Sequence, residues 1–314
     1  MRREASIAAA FGLMLLALAT VRPGFFALAN VRDMLLANVP VLVVAIGMTL
    51  VILLGHIDIS VGAQFAVCAL AAGALAKAGW PMPLVTIATM LAGAALGTVN
   101  AALTAQLKLP SIVVTLASMV MLRDTIRWTT GGAWIQNLPL SFQWFGFGQG
   151  RGEWTILCIA AVVFVGFAWA MRNLGAGRAV YATGSDAEAA RLAGINTGAV
   201  VFGVFVSIGG LTGLAALLDA IRFSDVQSNA GVGLELKAIA AVVVGGTSIQ
   251  GGRGSLMGTL LGTAILGTIG PALTFLSINA FWEQAIQGTI ILGAVVLDAM
   301  VGHGSLREAK AVGV

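Results

Sequence analysis

The chain has 314 residues, of which 59% are hydrophobic and 10% charged, where a soluble domain carries about 25% charged residues. So few charges cannot cover a water-facing surface, and a mean hydropathy of +0.98 agrees that most of the exterior faces lipid. The net charge of +4 is spread over 17 basic residues in ones and twos. With no basic stripe, a nucleic-acid surface is excluded, and loop charges that orient a membrane protein account for them better.

Apolar runs of about 20 residues, the length that spans a bilayer, lie near 6–21, 34–54, 61–78, 83–105, 153–171, 198–219, 255–270 and 281–301. Two shorter or interrupted runs lie near 111–126 and 234–246. The expected fold is an all-α integral membrane protein of about ten transmembrane helices, some broken, in a single transmembrane domain over 1–314. Ala17-Leu18-Ala19 resembles a signal-peptide cleavage site after Met1-Arg2-Arg3. A retained first helix is the preferred reading, because the rest of the chain must be inserted anyway. Many of the 41 glycines fall inside apolar runs, which suits closely packed transmembrane helices.

The first informative interruption is Leu54-Gly55-His56-Ile57-Asp58-Ile59-Ser60-Val61-Gly62. It places a polar Asp58 and Ser60 between two nearly charge-free runs. Irregular backbone at membrane depth survives only where protein or a water-filled cavity satisfies its polar groups, and broken helices of this kind often form transporter sites. An ordinary turn, with Asp58 or Ser60 capping the next helix, is the other reading.

Farther along, Arg123 to Gly152 forms a hydrophilic stretch with Trp128, Trp134 and Trp144, whose spacing suits anchoring at the membrane–water interface. From Arg172 to Thr197 the chain is again polar. There Ser185-Asp186-Ala187-Glu188 fits a capping box, with Ser185 as the cap. Ala189, Ala190, Arg191, Leu192 and Ala193 continue a helix that Gly194 stops. This helix, about 12 Å long, is too short to span. Basic clusters at both termini and in the 172–191 loop place all three on the cytoplasmic side. A second interruption runs through Gly245, Gly246, Thr247 and Ser248 to Gly254, followed by a ridge at Gly254, Gly258 and Gly262.

No phosphate-binding loop is present, since none of the four lysines follows a glycine. His56 and His303 are far apart, and Cys68 and Cys158 lie in apolar runs, so neither a metal site nor a cofactor is expected. Work at the membrane must then draw its energy from a partner, or the solute must move passively.

Five segments resemble the permease family of ribose-type ATP-binding cassette importers, which includes autoinducer-2 permeases. They are Gly55–Gly62, Leu109–Leu116, Thr130-Gly131-Gly132, Gly177–Asn196 and Gly233–Gly258, in the family's order and covering nearly the whole chain. Trp134–Pro139 and Tyr181–Gly184 look most similar to the autoinducer-2 branch. Two departures stand out: His56 replaces a glycine of the first motif, and Asp186 an asparagine of the cytoplasmic one.

The resemblance implies a permease subunit, not an enzyme, in the bacterial inner membrane. Its partners would be an ATP-binding cassette subunit, a second permease copy or homologue, and an extracytoplasmic solute-binding protein. Gly55, His56, Asp58, Ser60, Gly62, Gly245, Gly246, Thr247 and Ser248 would border the translocation pathway. Ser185, Asp186, Glu188, Ala189, Ala190, Arg191, Leu192 and Gly194, within the 172–197 loop, would form the coupling helix. A neutral sugar or sugar-like solute fits the sparse interior charge. A passive channel or secondary carrier acting alone is the alternative.

Overall fold

The computed structural model describes residues 2–279 and 282–290, with 292, 293 and 296. Its α-helices are α1 (Arg2–Val21), α2 (Leu28–Leu53), α3 (Val61–Lys77), α4 (Met82–Ala101), α5 (Ser111–Thr130) and α6 (Gln149–Asn173). They continue as α7 (Gly175–Ser185), α8 (Ala187–Leu192), α9 (Thr197–Ala220), α10 (Leu234–Val244) and α11 (Leu256–Phe275). Residues 282–290 are helical as well. Among the described residues there is no strand, only one bridge between Ile135 and Val226.

Among the described residues six helices are long and apolar enough to cross a membrane: α1, α2, α4 with the π-turn that extends it to Gln106, α6, α9 and α11. This is fewer than the ten expected, for local reasons. α3 is a shorter apolar helix of 17 residues that starts only after the Gly55–Ser60 break. α5 carries Arg123, Asp124 and Arg127 in its second half. α10 stops after 11 residues at Gly245. Of the 281–301 run, residues 282–290, 292, 293 and 296 are described, and they are helical.

α2 from Val39 onward and α9 are almost wholly apolar on every side, the pattern of a helix enclosed by others, and both lie in the core. Val43, Val44, Ala45, Ile46 and Met48 of α2 and Phe205, Ile208, Ala215 and Leu217 of α9 are fully buried. α4 meets α9 through two small-residue pairs, Gly93 with Gly97 and Gly209 with Gly213. A Cβ on Gly93 would strike the Gly209 carbonyl, and one on Gly97 the Phe205 carbonyl. Backbones approach this closely only without side chains. α1, α4 and α6 turn large apolar side chains such as Leu13, Leu91 and Val162 outward, where lipid would lie.

Contacts at the chain's turns define two ends of the bundle. At one, the Ser255 hydroxyl donates to Glu4 over 2.5 Å, and α7, α8 and the 245–254 loop gather round the end of α2. At the other, Ile135 and Val226 exchange backbone hydrogen bonds of 3.0 and 2.9 Å, and Trp144 N–H donates to the Ile221 carbonyl over 2.7 Å. The 131–148 and 172–197 segments therefore sit at opposite ends. The hydrophilic stretch expected from Arg123 starts inside α5, which stays helical to Thr130 and ends at Gly131. Of its tryptophans, Trp128 is exposed, while Trp144 presses against Gly152.

Gly209→Val should overpack the α4–α9 contact, at about 1–3 kcal/mol. Thermal unfolding in detergent should show a lower midpoint, and an unchanged one would mean that the helices do not meet as described.

Candidate functional site

α2 ends because Gly55 turns the chain away, with Gly55 N–H donating to the Ile52 carbonyl (2.9 Å) and His56 N–H to the Val51 carbonyl (3.1 Å). The irregular segment that follows carries Asp58 into the interior, where Asp58, Ser60 and Gln64 are fully buried. The Asp58 carboxyl accepts the Ser60 N–H (2.9 Å) and hydroxyl (2.5 Å) on one oxygen. The Ser60 hydroxyl oxygen in turn accepts from the amides of Gln64 (2.7 Å) and Asn100 (2.8 Å). The Ser118 hydroxyl completes the set by donating to Asn100 Oδ1 (2.6 Å). No side chain caps α3, but Asp58 binds the Ser60 N–H just before it and anchors a buried network joining α3, α4 and α5.

A second clasp holds the break from the side. Ser111 Oγ accepts the Ile57 N–H (3.3 Å) and lies 3.2 Å from His56 Nδ1, while the Thr115 hydroxyl donates to the Ile57 carbonyl (3.3 Å). Pro110 and Ser111 open α5, so the Leu109–Leu116 motif serves to brace the Gly55–Ser60 segment. Gly62 is the second residue of α3, and a Cβ there would overlap the Glu235 carboxylate at the start of α10.

The second interruption folds back onto the first. The 245–254 loop closes on itself through Ser248 N–H to the Arg253 carbonyl (2.8 Å), with Thr247 and Ser248 buried. Its Gly252 N–H then donates to the Leu53 carbonyl at the end of α2 (2.8 Å). Gly184, near the end of α7, lies so close that a Cβ there would overlap the same Leu53 carbonyl. A Cβ on Gly251 would come within 2.9 Å of the Gly184 carbonyl and 3.0 Å of Gly55 N. The Tyr181 hydroxyl ties α7 to this loop by donating to the Gly254 carbonyl (3.0 Å). Gly55, Gly184 and the glycine loop, far apart in sequence, thus meet at one junction. The glycine ridge needs correction: Gly258 and Gly262 lie against Gly245 and Ala241 of α10, but Gly254 precedes α11 and contacts Thr247 instead.

α8 follows that junction directly. Its cap is Asp186, whose Oδ1 accepts the N–H groups of Glu188 and Ala189, both at 3.0 Å. The Ser185–Glu188 capping box does not form, because Ser185 is still the last residue of α7. Glu188 turns instead to Arg191, 2.6 Å away on the same face, and that guanidinium holds its carboxyl below the usual range. Gly194 stops the helix in a left-handed conformation (φ +85°), as its position implied. Ala190 is buried and anchors α8 to the body, whereas Leu192 is 77% exposed beside the ion pair.

Comparison with known proteins places this architecture. Residues 30–295 match the family described as branched-chain amino acid transport system / permease component. The autoinducer 2 import system permease protein LsrC of Salmonella typhi is 36% identical over 257 residues, 82% of this chain and 74% of that protein. The ribose import permease protein RbsC of Escherichia coli is 35% identical over 292 residues, 91% of each. The Shigella flexneri LsrC is 35% identical over 291 residues, 91% of this chain and 85% of that protein. The chain belongs to this permease family. No solved structure matches it. It is a multi-pass membrane protein.

Two ion pairs join helices of the permease. Lys237 of α10 meets Glu283 at 3.2 Å, with Gln287 donating to the same oxygen (3.0 Å), and Arg32 of α2 meets the buried Glu153 of α6 at 3.0 Å. Among the described residues no cluster suits a metal ion, and both cysteines are free. His303 lies outside them. Gln64, Asn100, Ser111, Thr115 and Ser118 were missed as site residues. The signal was faint: polar residues at four-residue spacing, as at Ser60 and Gln64, or opening an apolar run, as at Ser111.

Asp58→Ala would leave buried donors of Ser60 unsatisfied, at about 1–3 kcal/mol each. The variant should insert and melt below wild type, with Asp58→Asn in between, since it keeps an acceptor. An Asp58→Ala midpoint equal to wild type would show that the network carries no load.

Proposed function

We propose that the chain is the membrane-spanning subunit of an ATP-driven, binding-protein-dependent importer in the bacterial inner membrane. Its cargo is a neutral sugar or sugar-like solute of the ribose, deoxyhexose or autoinducer-2 class. The observation that carries this reading is the junction where α7, leading into α8, touches both helix breaks at once. The names of the ribose and autoinducer 2 relatives support the solute class, as do the ion pairs that engage Lys237 and Arg32 and leave neither cation free for an anionic cargo.

On this reading the whole chain forms one permease domain with both termini on the α8 side. α1 to α6, α9 to α11 and the helix that includes residues 282–290 make ten passes between the two ends of the bundle. α8 is the coupling helix, with Glu188, Arg191 and Leu192 presented to an ATP-binding cassette subunit. A second permease, identical or homologous, completes the pore, and a solute-binding protein docks at the 131–148 end. Nucleotide-driven movement of α8 passes through Gly184 to Gly252 and the Leu53 carbonyl. It thereby shifts the Gly55–Ser60 segment and its Asp58 network, which border the pathway.

Vesicles reconstituted with the three partners test the reading. Uptake should require ATP and the binding protein, and uptake with neither would establish a passive channel or carrier. Arg191→Pro, in the last turn of α8, should abolish solute-stimulated ATP hydrolysis while the chain still inserts, because proline breaks a helix beyond its first turn. Full coupling in that variant would make α8 a mere connector. A cysteine at Gln136 should react with an impermeant reagent in intact cells, and labelling only after the membrane is opened would invert the topology.

A further inference from the structure

At the end of the bundle opposite α8 lies a cavity of about 560 Å³ between Trp134, the end of α9 and the 221–232 segment, with Ala69 of α3 among its walls. That volume is within the range of ~300–1,000 Å³ typical of small-molecule sites. Two aromatic faces border it, Trp134 and Phe223, each about half exposed. The exposed residues Gln227 and Asn229 line it too, with Asp225.

The chemistry of this lining selects among ligands. No lysine or arginine lines the cavity, while Asp219 and Asp225 do, so an anion has nothing to pair with. A cation gains little either. Asp219 is engaged by Arg222 at 3.4 Å, and the two oxygens of Asp225 accept from Asn137 N–H (3.4 Å) and the Ser224 hydroxyl (3.3 Å). What remains is a pair of aromatic faces with amide donors and acceptors at their edge. A neutral polyol fits that combination, because its C–H faces stack on rings while its hydroxyls both donate and accept.

The position of the cavity matters as much. Gly231 is one of its walls, and a Cβ there would come within 2.7 Å of the Gly62 carbonyl and 2.9 Å of the Phe65 ring. Gly62 is two residues from Ser60, so a single backbone contact separates the cavity from the Asp58 network.

We propose that this cavity is a receiving site for one neutral, polyhydroxylated solute, with Trp134 and Phe223 as its stacking faces and Gln227 and Asn229 as its hydrogen-bonding edge. The proposal rests on the importer reading and gives that importer a solute site of its own, ahead of the Gly55–Gly62 break.

The test is saturation-transfer NMR on the full-length permease in lipid nanodiscs, without ATPase or binding protein, using D-ribose, ribitol and choline as probes. Ribose or ribitol protons should receive saturation, and the effect should vanish in Trp134→Ala and weaken in Asn229→Ala. It should persist in Trp128→Ala, whose side chain is exposed away from the cavity. Choline should give none. Silence from both polyols, an undiminished effect in Trp134→Ala, or saturation of choline in their place would overturn the proposal. The readout needs neither ATP nor partners, so its failure is distinct from a failure of ATP-dependent uptake in vesicles.

Discussion

The Gly252 N–H donates to the Leu53 carbonyl over 2.8 Å, at a point where three stretches of backbone come together with almost no side chains between them. The last carbonyls of a helix have no partner within it. At membrane depth such a group must find one in the protein. Here the glycine loop supplies it, and Gly184 of α7 closes over the same carbonyl. The end of α2, the start of α11 and the approach to α8 are thereby fixed to one another without a flexible side chain as intermediary. Such a joint transmits displacement with little slack, the property that an importer driven from outside the membrane requires.

The Asp58 network answers a related constraint. A carboxyl inside a membrane bundle is costly unless it is hydrogen-bonded, and each of its partners comes from a different place: Ser60 from the break, Gln64 from α3, Asn100 from α4 and, through Asn100, Ser118 from α5. The break is therefore held on two sides, by this network within the membrane and by the glycine junction at its edge. The segment between them, Gly55 to Ser60, is the one place where two rigid assemblies meet through irregular backbone.

Much of this was legible in the sequence because membrane burial writes itself in composition. The apolar runs gave the positions of α1, α2, α4, α6, α9 and α11, and paired glycines marked both breaks. The stop at Gly194 and the pairing of Glu188 with Arg191 were readable because both are local, within one or two turns. The cap was misassigned because Ser185 and Asp186 are both good caps, and only the length of α7, which Ser185 completes, decides between them. The junction itself was invisible: Gly55, Gly184 and Gly252 stand 129 and 68 residues apart in sequence, and a glycine looks the same whether it serves a loop or a close approach. Asn100 and Ser118 were hidden for the same reason, being single polar residues within helices whose partner lies on another element.

The most direct measurement of the central claim is uptake by Gly184→Ala, the smallest change that puts an atom where the Leu53 carbonyl now lies. The variant, reconstituted with the ATPase and binding protein proposed as its partners, should insert, bind the ATPase and hydrolyse ATP. Its solute uptake per ATP should fall by about tenfold or more, equivalent to ~1.4 kcal/mol of lost coupling. Wild-type uptake per ATP in that variant would contradict the account, since force would then reach the Gly55–Ser60 segment by some route other than this junction.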